Sequence, residues 1–371
     1  MERSFVKEIE SLRLGAGDTF YGEGILAVTK ALLQSGVTYV GGYQGAPVSH
    51  LIDVMVQAKN DMAELGVHVE PCTNEASAAA MLGASIMYPV RGAVTWKSIV
   101  GTNVAADALS NLASPGVTGG ALIIIGEDYG EGASVIQERT HSYAMKSALW
   151  LMDPRPELTN IVNCVEKSFE LSEASNTPVM MELRIRACHL QGSFRAKDNV
   201  APDISSRKLL SEPAAFNYDF LSHPPVTYAH EKRKYDERMP AARDFIVKNS
   251  LNELSEGRHE DVGIIIQGGI YNALMRAMTE LGLVDADGSC DLPLLTLNVV
   301  YPLVPDQIID FAKEKKAVLV IEEGQPAYIE HEVASLLMRA SVNVFLSGKD
   351  VLPRAGEYSS ETLLDAVGKF L

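Results

Sequence analysis

The chain is poor in the features that mark several common classes of protein. It has four cysteines in 371 residues, Cys72, Cys164, Cys188 and Cys290, and no two of them stand at CxxC spacing. An iron–sulfur cluster or a structural zinc needs that spacing, so no metal site is expected within the chain and the thiols read as reduced packing residues. Basic residues are outnumbered, 32 Lys and Arg against 48 Asp and Glu, giving a net charge of −16. A surface of that sign does not neutralise phosphates, which excludes nucleic acid as a partner. The basic run Glu231-Lys232-Arg233-Lys234 reads as a solvated face. No segment offers ~20 uncharged apolar residues, and the stretch MERSFVKEIESLRLGAGDTF has no apolar signal core. The expectation is a cytoplasmic protein that does not enter a membrane. No Ser or Cys stands in a nucleophile elbow, and there is no GxGxxG, so neither a hydrolase triad nor a dinucleotide site is indicated.

What is present is a repeated alternation of short apolar runs and helical patterns. At 371 residues and 47% hydrophobic, the chain is too long for one ordinary core and is expected to hold two or three domains. The segment from Tyr39 to Asp107 organises the rest. YVGGYQGAPVSHLIDVM, VHVEPCTNEASAAAMLGAS and AVTWKSIVGTNVAAD each join an apolar run to a glycine-rich or polar turn and a small-residue helix. That is the pattern of strand ends feeding helix N-termini in an open α/β sheet, where ligands bind outside the carboxyl ends of the strands. Glu75, followed by Ala76, Ser77 and Ala78, is the carboxylate in this context. It is either a first-turn residue favoured by the helix dipole or a group that acts on a ligand. Cys72 reads as packing, and Lys97, at the end of RGAVTWKS, stands where an anion would be met.

Downstream, GGALIIIGED predicts a buried strand, and the long polar segment YGEGASVIQERTHSY after it reads as a functional or mobile loop. Gln137, Glu138, Arg139 and His141 are its candidates for substrate contact, with His141 expected to face solvent. A helix over LTNIVNCVEKSFELSEASN and a strand at PVMMELRIRA follow. From Gln191 to about Glu237 neither period is strong, which reads as a surface connection between domains. Helix resumes at MPAARDFIVKNSLNEL. DVGIIIQGG, PLLTLNVVYPLV and AVLVIEEG each predict one strand of a second α/β unit, and Gly268-Gly269 is a candidate anion seat. The expected division is 1–195, a connection over 196–239, and 240–371.

The order of these motifs resembles a known family. Gly42-Tyr43-Gln44-Gly45-Ala46-Pro47, then Asn74-Glu75, then Lys97 and Gly101 through Asp107, then IIIGED and the Gln137-Glu138 loop, are similar to the α subunits of the indolepyruvate:ferredoxin oxidoreductases. These belong to the thiamine diphosphate-dependent 2-oxoacid:ferredoxin oxidoreductases. The C-terminal IIQGG, NVVYPLVP, VLVIEEG and GKDVLPRAGE stretches resemble the transketolase C-terminal-like domain of the same family.

The resemblance implies two parallel-sheet α/β domains, one binding the thiamine pyrimidine and one transketolase C-terminal-like. It gives Glu75 the role of hydrogen-bonding N1′ of the aminopyrimidine. Gly45 and Asn103 join Glu75 as implied cofactor contacts, and Tyr43, Gln44, Ala46, Pro47, Lys97 and Arg139 are the implied substrate contacts. Relatives commonly carry threonine at the position of Ala46, so polar contact from this turn falls to its neighbours. No GDG…N signature for the diphosphate and Mg²⁺ occurs in these 371 residues. The resemblance therefore implies a β-type partner subunit that carries the pyrophosphate domain and Mg²⁺, with [4Fe-4S] clusters in an iron–sulfur subunit or ferredoxin. The implied reaction is coenzyme A-dependent oxidative decarboxylation of a 2-oxoacid such as indolepyruvate or phenylglyoxylate. A non-oxidative thiamine decarboxylase subunit and a non-catalytic scaffold subunit are the alternatives.

Overall fold

The apolar runs that end in glycine or charge form the strands of two separate sheets. The structure, a computed structural model, describes residues 5–130, 134–204, 211, 213, 216–286 and 288–371. Parts of two expected segments, 131–133 of the loop and 205–210, 212, 214 and 215 of the connection, lie outside the described residues. In chain order the strands are β1 (Thr19–Glu23), β2 (Tyr39–Gly42), β3 (His68–Pro71), β4 (Gly92–Lys97), β5 (Ala121–Gly126), β6 (Trp150–Met152) and β7 (Val179–Leu183). They continue as β8 (Gln191–Arg195), β9 (Glu253–Ser255), β10 (Val262–Gln267), β11 (Leu294–Leu297), β12 (Val299–Tyr301), β13 (Ala317–Ile321) and β14 (Phe345–Ser347).

The larger sheet runs β12-β6-β7-β5-β4-β2-β3 and the smaller β14-β13-β10-β11-β9. All pairs within them are parallel except β12 on β6 and β9 on β11. Every residue of β5 and β7 is buried, which is why both read as continuous apolar runs instead of alternating ones. The helix Gly24–Gln34 is buried along its whole length, packed against the helices Val6–Leu12, Ser49–Gln57 and Leu158–Ser175. A helix apolar all round belongs inside, and this one carries Lys30 with it. The Lys30 ammonium donates to the Lys197 carbonyl at 2.9 Å and to Asn199 Oδ1 at 2.5 Å, and burial lowers its pKa to about 8. Residues 197–200 are thereby tied to the larger sheet's helices, with Val200 N donating to the Leu33 carbonyl at 2.9 Å.

Three expectations need correction. PLLTLNVVYPLV is two strands, since β11 lies in the smaller sheet and β12 crosses to the edge of the larger one. Asn298, 1% exposed, makes that crossing possible by donating to the Leu251 carbonyl at 2.8 Å and accepting from Arg155 N at 2.7 Å. The polar stretch at Gln191 is also not all connection, because β8 pairs antiparallel with β1 in a two-stranded ribbon. Finally, Glu231-Lys232-Arg233-Lys234 is not a purely solvated face. It lies on the helix Thr227–Arg233 and the π-turn after it, with Lys234 buried and Arg238 capping the helix Val100–Ala113 through the carbonyls of Ala113 and Ser114 at 2.9 and 3.2 Å. No helix among the described residues is long and apolar enough to cross a membrane.

Candidate active site

In the larger sheet the chain runs from β2 out to the edge at β3, then returns past β2 to β4 and onward to β5. Strand order therefore reverses between β2 and β4, and a crevice opens outside their carboxyl ends at such a switch point. Tyr43 to Pro47 leave β2 there and Lys97 ends β4 there. Gly45 is required by the closeness of these two turns, since a Cβ on it would lie 2.4 Å from Lys97 Cβ. Pro47 packs over the end of β5, where a Cβ on Gly126 would meet its ring at 2.5 Å.

Glu75 opens the helix Glu75–Met81 just after β3, and Asn74 caps that helix by accepting from Ser77 N at 2.8 Å. The side chain is driven inward, leaving Glu75 8% exposed. Its carboxylate lies against the first turn of the helix Val100–Ala113, where a Cβ on Gly101 would stand 2.9 Å from Oε1. Among the described residues nothing hydrogen-bonds this carboxylate. A carboxylate largely withdrawn from water and without a partner among the described residues is free to meet a ligand, so Glu75 has the character of a group that acts on one.

The other expected residues fall into two groups. Tyr43 and Gln44 line a cleft of about 670 Å³ with Gly42, His50, Asp53 and Cys72. Gln44 is already engaged, donating to Asp53 at 2.5 Å, whereas Tyr43 is 42% exposed. Lys97 is paired with Asp128 at 3.0 Å, and Asp128 in turn accepts from Ile185 N at 2.7 Å. Asn103 stands exposed on its helix and accepts from the Tyr143 hydroxyl. Ala46 offers the crevice no polar side-chain atom. Arg139 is elsewhere: its guanidinium is wholly buried, ion-paired with Glu322 and donating to the Pro326 carbonyl at 2.8 Å. His141, expected to face solvent, is 1% exposed, and burial followed by the charge of Arg139 pushes its pKa well down. A cleft of about 730 Å³ beside β9 is lined by Glu256, Glu260, Asp261, Asp310 and Glu314, a wall that repels an anionic substrate.

Arg139 belongs to a set of charges buried where the carboxyl ends of the two sheets meet. Arg184, just past β7, donates to Asp153 at 2.5 Å and to Glu323 at 2.8 Å, and lies 3.5 Å from Glu182. Gln267 bridges the sheets by donating to Asp153 at 3.1 Å and accepting from Glu323 N at 2.7 Å. The expected anion seat at Gly268-Gly269 is therefore filled from within, since a Cβ on Gly269 would lie 2.1 Å from Asp153 Oδ1. These residues were missed in the sequence, though the signal was there in GED after ALIII, EL after VMM and EEG after AVLVI, carboxylates set directly at the ends of buried strands.

Burial, then the nearby charges of Asp153 and Glu127, raise the Glu182 carboxyl well above the usual carboxylate range. A carboxyl whose folded pKa exceeds its unfolded one binds more protons when folded, so its contribution to stability falls as pH rises above the unfolded value. Glu182→Gln, neutral at every pH, is expected to melt with the wild type near pH 5. The variant should melt progressively higher than wild type as pH rises through neutrality, as thermal melts across pH would show.

Residues 252–349 match the indolepyruvate ferredoxin oxidoreductase middle domain. Over 362 residues, 96% of this chain, the sequence is 28% identical to the indolepyruvate oxidoreductase subunit IorA of Methanothermobacter marburgensis. The chain is similar in sequence to IorA subunits. The IorA of Pyrococcus abyssi is 25% identical over 94% of the chain. The chain spans about half the length of these IorA relatives, 55% and 52%. In fold it is similar to a 2-oxoglutarate:ferredoxin oxidoreductase from Magnetococcus marinus solved with 2-oxoglutarate, coenzyme A and succinyl-CoA, with a TM-score of 0.71 at 14% identity, covering 95% of this chain and 65% of that one. A split gene transketolase, solved as an inactive β4 tetramer, gives a TM-score of 0.57 at 15% identity, covering 94% and 98%. The two α/β units seen here thus share the fold of these two solved structures.

Proposed function

We propose that this chain is the subunit of a 2-oxoacid:acceptor oxidoreductase that holds the pyrimidine half of thiamine diphosphate, with the division 1–195 and 240–371, save β12 in the larger sheet, separating the pyrimidine-binding from the transketolase C-terminal-like unit. The observation that carries this reading is Glu75, a nearly buried carboxylate that nothing among the described residues hydrogen-bonds, at the switch-point crevice of a chain similar to IorA subunits. Those features fit an aminopyrimidine. Glu75 would hold a hydrogen bond to its N1′, and the lack of a side chain at Gly101 leaves the carboxylate room to turn toward it. The bound cofactor supplies an electron sink for the carbanion left by decarboxylation.

The residues of this chain then divide the remaining work. Gly45 lets the β2 turn lie against Lys97, so that the crevice stays narrow and water is kept from the reacting group. Lys97, held in place by Asp128, offers an ammonium hydrogen-bond donor at the end of β4 to an anionic 2-oxoacid. The cleft beyond Tyr43 offers an aromatic wall to the substrate's side chain, which favours arylpyruvates such as indolepyruvate. Coenzyme A as acyl acceptor, ferredoxin as electron acceptor, and a partner subunit bringing the diphosphate site, Mg²⁺ and iron–sulfur clusters complete the proposal.

The test is a titration of thiamine diphosphate with Mg²⁺ into this chain alone and into the assembly that purifies with it. Tight, stoichiometric binding is expected only in the assembly. Tight binding to the chain alone would refute the shared site.

A further inference from the structure

Three buried hydroxyls join the wall behind Glu75 to the charges between the sheets. Ser98, Thr102 and Thr140 are each at most 1% exposed. Trp96 Nε1 donates to Thr102 Oγ1 at 3.1 Å, and Thr102 shares a hydrogen bond of 2.9 Å with Ser98. Ser98 in turn is hydrogen-bonded to Thr140. The Thr140 backbone N–H then donates to both oxygens of Glu127, at 3.2 and 3.0 Å, and the residue before it is Arg139, clasped to Glu322 of the smaller sheet. Ser98 and Thr102 flank Gly101, the residue on which the Glu75 carboxylate rests, and Trp96 touches Gly101 from the other side, 2.7 Å from where a Cβ would be. Each hydroxyl in such a chain is held by its neighbours, so removing the Thr140 hydroxyl leaves Ser98 with Thr102 alone, and removing that of Ser98 takes a partner from both Thr102 and Thr140 in a buried interior.

We propose that Thr140 and Ser98 are positioning residues for Glu75. Through Thr102 they fix the turn 98–102, and so the surface that orients the carboxylate, from a loop that the smaller sheet anchors. The inference rests on the reading of Glu75 as the pyrimidine contact, and adds that the second α/β unit sets its geometry without touching the crevice.

Thr140→Val keeps the branched shape and removes the hydroxyl, Thr140→Ser keeps the hydroxyl, and Ser98→Ala breaks the same chain one link further on. Thiamine diphosphate affinity is measured calorimetrically with Mg²⁺ on the assembled enzyme, and amide exchange of residues 98–102 on the same samples without cofactor. Thr140→Val and Ser98→Ala are each expected to weaken binding about tenfold, the size of one lost buried hydrogen bond, and to speed exchange at 98–102. Thr140→Ser should stay within about twofold of wild type, and the double variant Thr140→Val/Ser98→Ala should bind no more weakly than either single one. Wild-type affinity and exchange in both Thr140→Val and Ser98→Ala would overturn the proposal, as would equal losses in Thr140→Ser and Thr140→Val. If the wild-type assembly binds no thiamine diphosphate, the reading of Glu75 fails instead. Exchange then decides the positioning alone: faster exchange in Thr140→Val but not Thr140→Ser upholds it, and no difference between them overturns it.

Discussion

Glu75→Gln is expected to lower turnover of the assembled enzyme by about 10²-fold or more while leaving assembly and melting temperature close to wild type. The magnitude is that of losing a positioned proton-exchanging group. Stability is spared because glutamine has nearly the same shape and the native carboxylate has no partner to lose among the described residues. Any forfeited interaction with the helix dipole is worth under about 1 kcal/mol and is offset by no longer burying a charge. Steady-state rates with a saturating 2-oxoacid and an artificial acceptor, set beside sedimentation of the complex, provide the check. Unchanged turnover in an intact complex would favour a scaffold role for this chain.

The largest effect on stability is expected at Arg184. Its guanidinium is 4% exposed and faces three carboxylates, Asp153, Glu323 and Glu182, from two sheets. Arg184→Leu removes the positive member and strands the negative ones, a loss of about 3–5 kcal/mol by the behaviour of other buried pairs. Adding Asp153→Asn and Glu323→Gln should restore part of that, since the cost lies in the uncompensated charges more than in the missing attraction. The exposed pair Arg13–Asp61, 3.0 Å apart with the Arg13 side chain 62% exposed, supplies the contrast. Arg13→Ala should cost at most about 1 kcal/mol. Urea denaturation of the three variants decides it, and a loss at Arg184 no larger than that at Arg13 would show that the buried set contributes nothing net.

Much of the architecture could be read from the sequence because parallel strands covered on both faces announce themselves. ALIIIG, VGIIIQ and AVLVI could hardly be anything else. The crevice was legible for the same reason, since glycine and proline clusters directly after such runs mark strand ends. What stayed hidden was assignment between sheets. LLTLNVVY is apolar but for Thr296 and Asn298, so no periodicity separates the four residues of β11 from the three of β12, and only the hydrogen bonds of Asn298 reveal the crossing. The burial of Arg139 and His141 stayed hidden because their segment is rich in glycine and polar groups. The burial that draws them inward comes from Glu322 and Tyr328, nearly two hundred residues away. A local pattern cannot report a partner at that distance.

The strand β12 has a consequence for how such a protein can be divided. Because Val299 to Tyr301 complete the larger sheet beside β6, a gene cut between Lys248 and Val299 would leave the first fragment with the edge of β6 at Leu151 and Met152 unpaired on that side. Such an edge invites pairing with a second molecule. A two-piece version of this chain should therefore need both pieces made together, with the β12 peptide threading home before the β6 edge finds a stranger.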